Sequence, residues 1–251
     1  MTTPPGDAWA WAHRAADAAG VRLEPLTTVA EAAAINEVMG ATWGGQHIDR
    51  ELLRAFAVSG NLPWGAFAGG RLVGYVLGFA GIDDLGLHVH SHMLATLPDR
   101  RHAGVGYALK LAQRAHALDQ GITVIRWTFD PMVARNAWFN LGKLGCVIDR
   151  FDRDFYGAMD DRINEGDRSD RCTVRWDLAR EPGPRGVPGG SPRVEVPPEY
   201  HDLRRADPQA AREARDRVAA AFEEQLAAGR VGAAFDRATS SHVFAREEDL
   251  G

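Results

Sequence analysis

The spacing of apolar residues changes along the chain, and each change predicts an element of secondary structure. Residues 7–19 are alanine-rich and predict a short N-terminal helix. Behind Thr28, a predicted helix cap, apolar residues recur at the spacing of one helix face, at Ala32, Ile35, Val38 and Met39. A second amphipathic helix is predicted over 48–58. The segment 64–81 then alternates like a β-hairpin with its turn at Gly69-Gly70.

From residue 87 onward, strand-like and helix-like segments follow each other. The pattern predicts strands over 87–97 and 122–129, with a helix over 105–120 between them. A further helix is expected after Asp130-Pro131. Hairpins followed by strand, helix, strand and helix predict an α+β fold, in which a mixed sheet carries helices on its faces.

The C-terminal part differs in composition. From Glu181 to Pro192, eight of twelve residues are Pro or Gly, which predicts a linker. Beyond it, Asp207-Pro208 begins a helix that Gly229 ends, and 231–244 predicts two short strands or a hairpin. Because one helix buries too little apolar surface to be stable alone, we expect it to dock on the main domain or across a dimer. The predicted organisation is a helical segment at 1–20, a main domain at 21–180, a linker at 181–200 and an extension at 201–251.

Composition and charge narrow the class of protein. The 251 residues are 45% hydrophobic and 25% charged, with a formal net charge of −5, which argues against a general nucleic-acid binder. No apolar stretch approaches the ~20 residues of a membrane span, and the N-terminus lacks a signal-peptide pattern. Cys146 and Cys172 are predicted to be buried thiols without a disulfide or zinc role. We therefore expect a cytoplasmic protein that does not bind membranes.

The most informative segment is LATLPDRRHAGVGY, residues 94–107. It connects a predicted strand to a predicted helix, and Gly104 and Gly106 let the backbone approach a ligand closely. Backbone N–H groups at a helix start form a site for a diphosphate. The same spacing also occurs in plain tight connections, so the motif alone leaves both interpretations open.

This segment resembles the acyl-CoA loop of the GNAT acetyltransferase superfamily, Gln/Arg-x-x-Gly-x-Gly/Ala after a strand. The matching residues are Leu94, Thr96, Pro98, Arg101, Gly104 and Gly106. A second match follows the predicted strand 122–129, at Ala137, Lys143, Leu144 and Gly145. The likeness covers roughly Val21 to Leu178 and is greatest to a little-characterised branch of predicted acetyltransferases.

The resemblance implies the GNAT fold and direct acyl transfer from an acyl-CoA co-substrate to an amine. It also implies which residues of the strand and loop contact the cofactor: Leu94, Ala95, Thr96, Arg101, His102, Ala103, Gly104, Val105, Gly106 and Tyr107. Asn136, Phe139 and Lys143 are further predicted contacts, although the family's Asn stands where this chain has Ala134, and Asn136 and Asn140 could instead form only local hydrogen bonds. No metal is expected. The acceptor is expected to be a small-molecule amine, and a homodimer is left open.

Three histidines alternate along the strand that precedes the loop. His88, His90 and His92 are predicted to share one face with Leu94 and Thr96. A histidine can take a proton from an ammonium at neutral pH, and the resemblance places the base at His90. His88 and His92 are predicted to contact the substrate. The alternative is a hydrogen-bonded strand histidine. A metal site is disfavoured because such neighbours stand about 7 Å apart.

The remaining roles fit the family pattern less well. Many GNAT members have a Tyr as proton donor to the thiolate where this chain has Leu141. Tyr156 is our predicted substitute and Tyr107 the alternative, although the thiolate can also leave unprotonated. The resemblance suggests Trp43 and His47 near the acceptor, and Arg171 could bind a carboxylate. Ordinary surface-turn chemistry is the competing interpretation for each.

The prediction is a CoA-dependent N-acyltransferase, with acetyl as the expected acyl group, acting on a small amine or amino-acid-like metabolite. The alternatives are a protein or peptide N-acetyltransferase and a non-catalytic acyl-CoA sensor.

Overall fold

The computed structural model describes residues 5–44, 47–84, 86–100, 103–157 and 167–251. The chain divides into two compact units. The first holds the described residues up to Ile125 together with Asp177–Arg180. The second holds the described residues of Arg126–Trp176 and of Glu181–Gly251.

The first unit is a four-stranded antiparallel sheet with helices packed on it. Its strands are adjacent in chain order: β1 (Arg22–Pro25), β2 (Trp64–Ala68), β3 (Arg71–Asp83) and β4 (Gly86–Thr96). Its helices are α1 (Pro5–Ala18), α2 (Val29–Trp43), α3 (Arg50–Val58) and α4 (Val105–Asp119). These bounds confirm the helix and hairpin predictions to within a few residues.

Local sequence explains where these elements begin and turn. The Thr28 side chain accepts a hydrogen bond from the Glu31 N–H, and the Glu31 carboxylate accepts one from the Thr28 N–H at 2.7 Å, so both ends of a capping box are formed. The buried face of α2 consists of the four apolar residues predicted from the spacing. Gly69 and Gly70 both have positive φ at the β2–β3 turn, a conformation that favours glycine.

The second unit is also built on antiparallel strands. The order is β7 (Arg171–Asp177), β6 (Val147–Asp152), β9 (Val231–Asp236), β10 (Ser241–Ala245) and β8 (Arg193–Glu195). The division between the units falls within β5 (Val124–Phe129). The helices are α5 (Ala134–Ala137), which continues as a π-helical segment over Trp138–Lys143, α6 (Tyr200–Ala206) and α7 (Pro208–Ala227).

The C-terminal helix packs against strands of the second unit. Asp207 caps α7 by accepting a hydrogen bond from the Ala210 N–H at 3.0 Å, as its position before Pro208 predicts. The ring of Phe222 lies 5.5 Å from that of Phe151 on β6 and 5.0 Å from that of Phe244 on β10, measured between centroids. The extension is therefore part of the core of this unit.

The Pro/Gly-rich segment is held in place by several contacts. The Arg185 Nε donates to the Gly145 carbonyl at 2.8 Å. Gly145 has φ +74°, and a Cβ there would lie 2.1 Å from the Gly183 carbonyl oxygen. Only glycine allows so close an approach. Gly145, the glycine of the Lys-Leu-Gly match, is therefore covered by the Pro/Gly-rich segment.

Two further observations concern the predictions from composition. Cys146 and Cys172 are both buried, as predicted. Over the described part of the chain, no helix has the length and apolar character needed to cross a membrane.

Candidate functional site

The connection from β4 to α4 ends in a glycine that begins the helix. Gly104 lies at the N-cap of α4 with φ +84°, the left-handed conformation, and a glycine has no side chain with which to cap this end. The first N–H groups of a helix have no partner inside the helix, so they are available to an anion. Ala103 and Gly104 are exposed, whereas Val105 is buried and anchors the turn. Arg101 and His102, two of the predicted cofactor contacts, lie outside the described residues.

Gly106 and Tyr107 occupy the first turn of α4 and are half-buried. A Cβ at Gly106 would lie 3.7 Å from Leu94 Cδ2, an ordinary contact, so the fold of the unit does not itself require glycine there. A glycine here lets the backbone come close to a bound ligand. Burial raises the pKa of the Tyr107 hydroxyl, although the charge of Arg114 opposes this.

A β-bulge in β4 reverses the alternation of side chains. Leu77 pairs with Met93 but Gly78 pairs with Ser91, so His92 is the extra residue. Past the bulge, Leu94 and Thr96 face α4: Leu94 lies beside Gly106, and a Cβ at Gly74 would touch both Thr96 and Val105. Ala95 is buried and pairs with Tyr75.

The prediction that all three histidines share a face with Leu94 and Thr96 is therefore wrong. His90 pairs with Phe79 on the opposite face of the sheet. The Phe79 ring lies 5.1 Å from the His90 ring and 6.1 Å from the His92 ring, and the two imidazoles are 6.1 Å apart. Phe56 of α3 stacks on Phe79 at 5.9 Å. His90 and His92 thus belong to an aromatic cluster beneath α3, which we call the imidazole cluster, defined by Phe56, Phe79, His90 and His92.

The electrostatics of the imidazole cluster favour uncharged rings. Burial lowers the pKa of His90, and its electrostatic interactions with His92, His88 and Lys110 lower it further. Burial also lowers the pKa of His92. An imidazole that is uncharged at neutral pH has a lone pair with which to accept a proton.

His88 has a different environment from its two neighbours. Its side chain is buried, and Nδ1 lies 3.1 Å from the Gly86 carbonyl and 3.8 Å from the Asp83 carboxylate. These partners belong to the end of the β3–β4 hairpin. The arrangement matches the hydrogen-bonded strand histidine that the sequence left as an alternative, so His88 contributes to the hairpin.

Trp43 and His47 border the described end of α2. Trp43 is half-buried and packs against the core of the first unit. The exposed His47 has Nε2 3.9 Å from Asp49 Oδ1. Both side chains can therefore be reached from solvent.

In the second unit, Tyr156 and Arg171 are in contact. The Tyr156 side chain is 46% exposed, and its hydroxyl forms a hydrogen bond of 3.0 Å with Thr128 Oγ1 on β5. The Arg171 guanidinium lies over the Tyr156 ring, 5.4 Å from its centroid. The surface-turn interpretation of Arg171 is wrong, because its side chain is buried, donates to the Asp170 carbonyl at 2.9 Å and lies 3.9 Å from Asp130.

The residues predicted to contact the cofactor from the second helix lie on α5 and the π-helical segment. Asn136 and Phe139 are half-buried and Lys143 is exposed. Leu141, which replaces the family's Tyr, is fully buried. Asn140, in the π-helical segment, is buried.

Sequence analysis missed a buried ionic cluster in the second unit. Arg215 on α7 donates to Asp130 at 2.9 Å, to Asp167 at 2.7 Å and to the Tyr200 hydroxyl at 3.1 Å. Burial lowers the pKa of Arg215, but the carboxylates outweigh this and raise it overall. Burial raises the pKa of Tyr200 to about 12. A signal was present, since Arg215 interrupts the apolar stripe of α7 between Ala211 and Val218.

Elsewhere the described side chains give no candidate metal centre. Within those residues, no group of three His, Cys, Asp or Glu side chains is close enough to hold a metal ion.

Comparison with known proteins supports the fold assignment. No family model and no curated protein matches the chain. Solved structures do match, including the ribosomal-protein-S18-alanine N-acetyltransferase of Escherichia coli, with a TM-score of 0.51 and 14% identity over 64% of this chain and 96% of that one. A GNAT-family protein from Desulfovibrio desulfuricans aligns with a TM-score of 0.50 and 16% identity over 63% of this chain and 99% of that one.

YncA from Salmonella typhimurium, solved with acetyl-CoA, has a TM-score of 0.50 and 16% identity, covering 68% of this chain and 98% of that one. At such identities the likeness shows the fold. The chain has the α+β fold of the GNAT acetyltransferases.

Proposed function

We propose that this protein is a CoA-dependent N-acyltransferase that transfers an acetyl group to a small amine or an amino-acid-like metabolite. The observation that carries the proposal is Gly104, a left-handed, uncapped start of α4 directly after β4, within the GNAT fold. That arrangement aims backbone N–H groups outward at the positive end of a helix dipole. It suits the diphosphate of coenzyme A.

The cofactor contacts we propose follow from this placement. The diphosphate binds at the loop and first turn formed by Arg101, His102, Ala103, Gly104, Val105, Gly106 and Tyr107. The backbone groups of Leu94, Ala95 and Thr96 pair with the pantetheine arm, and an N–H near Leu94 or Ala95 donates to the thioester oxygen. Asn136, Phe139 and Lys143 are further proposed contacts.

His90 is the proposed general base. An ammonium has no lone pair, so its proton must leave before the nitrogen can attack the thioester carbon. His90 takes that proton, the C–N bond forms, the C–S bond breaks, and the thiolate takes a proton from Tyr156 or from water. The lowered pKa of His90 supports this role, because the ring is ready to accept a proton at neutral pH.

The acceptor contacts are proposed for Trp43, His47 and His92, the members of the predicted set whose side chains are exposed or half-buried. Arg171 supports a different role from the one predicted. Since its guanidinium already lies on the Tyr156 ring, we assign it to orienting that ring. His88 is assigned to the hairpin for the reasons given above.

A second candidate acceptor is the N-terminal amine of a protein. The tip of the β3–β4 hairpin exposes two large apolar side chains, Ile82 at 83% and Leu87 at 52%. Such side chains on the hairpin that carries His90 favour contact with a partner larger than a metabolite. The E. coli structural neighbour is named for a protein acceptor of this kind.

The cofactor part of the proposal is tested by calorimetry with acetyl-CoA. Gly104→Val places a β-branched residue at φ +84° and should weaken binding by at least about tenfold, since charge-assisted hydrogen bonds to the diphosphate are lost. Gly70→Val is the matched control, with φ +81° in the β2–β3 turn. Equal affinity of the Gly104 variant and the parent would contradict the loop assignment.

The acceptor part is tested by following thiol release from acetyl-CoA with two panels, one of small amines and amino acids and one of short peptides with free N-termini. Turnover with the first panel supports the metabolite proposal. Turnover with peptides alone supports the second candidate. Tight acetyl-CoA binding without transfer to either panel would favour the acyl-CoA sensor.

A further inference from the structure

The segment that carries Tyr156 is a turn directly after β6, residues 153–157, which we call the tyrosine turn. Asp154 has φ +48° there, a left-handed conformation that is uncommon for a residue with a Cβ. The Gly157 N–H closes the turn by donating to the Asp154 carbonyl at 3.1 Å. A backbone of this kind persists where the surrounding contacts fix it.

Two buried residues just before β7 supply those contacts. Ser169 is 2% exposed and Asp170 is 1% exposed. The Asp154 N–H donates to the Asp170 carboxylate at 3.0 Å. The Phe155 N–H donates to the Ser169 carbonyl at 3.0 Å. The Tyr156 N–H donates to the Ser169 hydroxyl at 2.9 Å, and that hydroxyl donates to the Asp154 carboxylate at 3.1 Å. Three consecutive N–H groups of the tyrosine turn are therefore anchored.

The hydroxyl of Tyr156 is held as well as its backbone. It lies 3.0 Å from the Thr128 Oγ1 on β5, and the Arg171 guanidinium covers the ring at 5.4 Å from its centroid. Thr128 is half-buried, whereas Tyr156 is 46% exposed. Water can bond an exposed phenol about as well as a threonine can, so this hydrogen bond adds little to stability. Its main effect is to fix where the phenol oxygen lies.

We propose that Thr128 is a positioning residue of the acylation site, which holds the Tyr156 hydroxyl where it can protonate the departing thiolate. This inference rests on the proposed function, because a fixed phenol serves catalysis only if Tyr156 is the proton donor. Thr128 itself touches no reacting atom of the substrate.

The proton transfer gives Thr128 a second task. As the C–S bond of the thioester breaks, the O–H bond of Tyr156 breaks and an S–H bond forms, which leaves a phenolate. The Thr128 hydroxyl then donates to that oxygen, in a charge-assisted hydrogen bond that is stronger than the neutral one it replaces. Because Tyr156 is exposed, solvent water returns a proton to the phenolate. The proton that His90 takes from the amine goes to solvent, so the protons balance over one turnover.

The test uses a matched set of variants at Thr128. Thr128→Val keeps the shape of the side chain and removes the hydroxyl, while Thr128→Ser keeps the hydroxyl. Thr128→Ala removes the same hydroxyl and replaces the valine variant if that protein does not fold. Thr173→Val is the control, because Thr173 is also half-buried on a strand of this unit, β7.

The first measurement is the ¹³C NMR signal of the tyrosine Cζ atoms, which reports the hydrogen bonding of each hydroxyl. The chain has four tyrosines, and the signal missing from Tyr156→Phe belongs to Tyr156. We expect this signal to move in Thr128→Val and to stay at its parental position in Thr128→Ser and Thr173→Val. The measurement needs no acyl transfer.

The second measurement is steady-state kinetics with acetyl-CoA and an acceptor identified with the two panels. Thr128→Val should lower kcat about 10- to 100-fold, because a displaced acid transfers its proton less well. The KM for acetyl-CoA and the free energy of unfolding should match those of the parent, and Thr128→Ser should recover most of kcat. A purely structural role would instead lower the free energy of unfolding and leave the kcat of the folded enzyme unaltered.

An unmoved Tyr156 signal in Thr128→Val would overturn the inference, since the hydroxyl would then lie in the same place without Thr128. A parental kcat in that variant would also overturn it and would assign protonation of the thiolate to water. Equal losses of kcat in Thr128→Val and Thr128→Ser would overturn it too, because the hydroxyl would then not matter. Failure of the proposed function would appear differently, as the expected NMR shifts in a protein that neither binds acetyl-CoA nor acetylates an amine.

Discussion

His90 of the first unit and His242 of the second are both held uncharged, but by different environments. His90 is half-buried among rings, and nearby cations assist burial in lowering its pKa. His242 is fully buried, its Nε2–H donates to the Pro131 carbonyl, and burial lowers its pKa to about 4. Of these two rings, only His90 has both a lone pair and access for a substrate. An uncharged ring is therefore not enough for a general base, because a substrate must also be able to reach it.

The same contrast holds for the cations of the two units. Lys110 donates to the uncharged oxygens of Ser91 and Gln113, at 2.7 and 3.2 Å. Arg215 is bound by two carboxylates and a phenol, so its charge is largely cancelled where it lies. We therefore expect substitution of Arg215 to lower stability and substitution of His90 to lower turnover.

The largest expected effect is that of His90→Ala on turnover. Removing a positioned base should lower kcat about 10²- to 10⁴-fold, while acetyl-CoA affinity stays the same. His13→Ala, on the exposed side of α1, is the control and should behave like the parent. Steady-state kinetics across pH 6 to 9 provide the measurement. A His90 variant with the parent's kcat and pH profile would remove His90 from the mechanism.

Arg215→Met should produce the largest loss of stability. It removes the nearest cation from Asp130 and Asp167, which keep the more distant Arg171 at 3.9 Å and Arg204 at 3.5 Å, and breaking such a buried pair costs about 3 kcal/mol. Chemical denaturation of the parent and the variant gives this difference. Arg212→Met, exposed on the same helix, should change the free energy of unfolding far less. Similar losses in the two variants would show that the buried cluster adds nothing beyond helix propensity.

Much of the fold could be predicted, because helix caps and turns are set by residues that are close together in the sequence. The capping box at Thr28, the turn at Gly69-Gly70 and the cap at Asp207 each depend on residues within one turn of each other. The apolar spacing of α2 gave its buried face residue by residue. The Gly104 start of α4 was likewise visible as glycine spacing after a strand.

The remaining features depend on contacts between residues that are far apart in the sequence. Strict alternation predicted one face for His90 and Leu94, but the extra residue at His92 depends on how β4 pairs with β3. For Arg171 the sequence left a substrate carboxylate or a surface turn as alternatives, and the buried position of its side chain, 3.9 Å from Asp130, appears only after folding. Lys110 was overlooked because one lysine on a helix is usually exposed. Its partner Ser91 is 19 positions away in the sequence.

The pH dependence of stability should also distinguish His242 from His90. The folded-state pKa of His242 is about 4 against 6.5 for an unperturbed ring, so the unfolded chain binds the proton first as pH falls. The stabilisation is complete above pH 6.5 and is lost between pH 6.5 and 4, by about 3 kcal/mol. His242→Phe should remove that part of the slope, since a phenyl ring fits among Phe222 and Phe235 and does not titrate. An unaltered slope in denaturation curves from pH 4 to 7 would assign the dependence to other groups.

The smallest predicted effect concerns the helix that leads to Trp43. Thr28→Ala removes the hydroxyl that accepts from the Glu31 N–H and should lower the free energy of unfolding by about 1 kcal/mol, whereas Thr28→Ser should keep most of it. Glu31 still accepts from the Thr27 and Thr28 N–H groups, and these bonds overcome burial and lower its pKa. Because the carboxylate acts on backbone N–H groups that the alanine variant retains, the loss should be the same at pH 7 and pH 8. Urea denaturation at both values checks this, and a larger loss at one pH would mean that the hydroxyl and the carboxylate act as one unit.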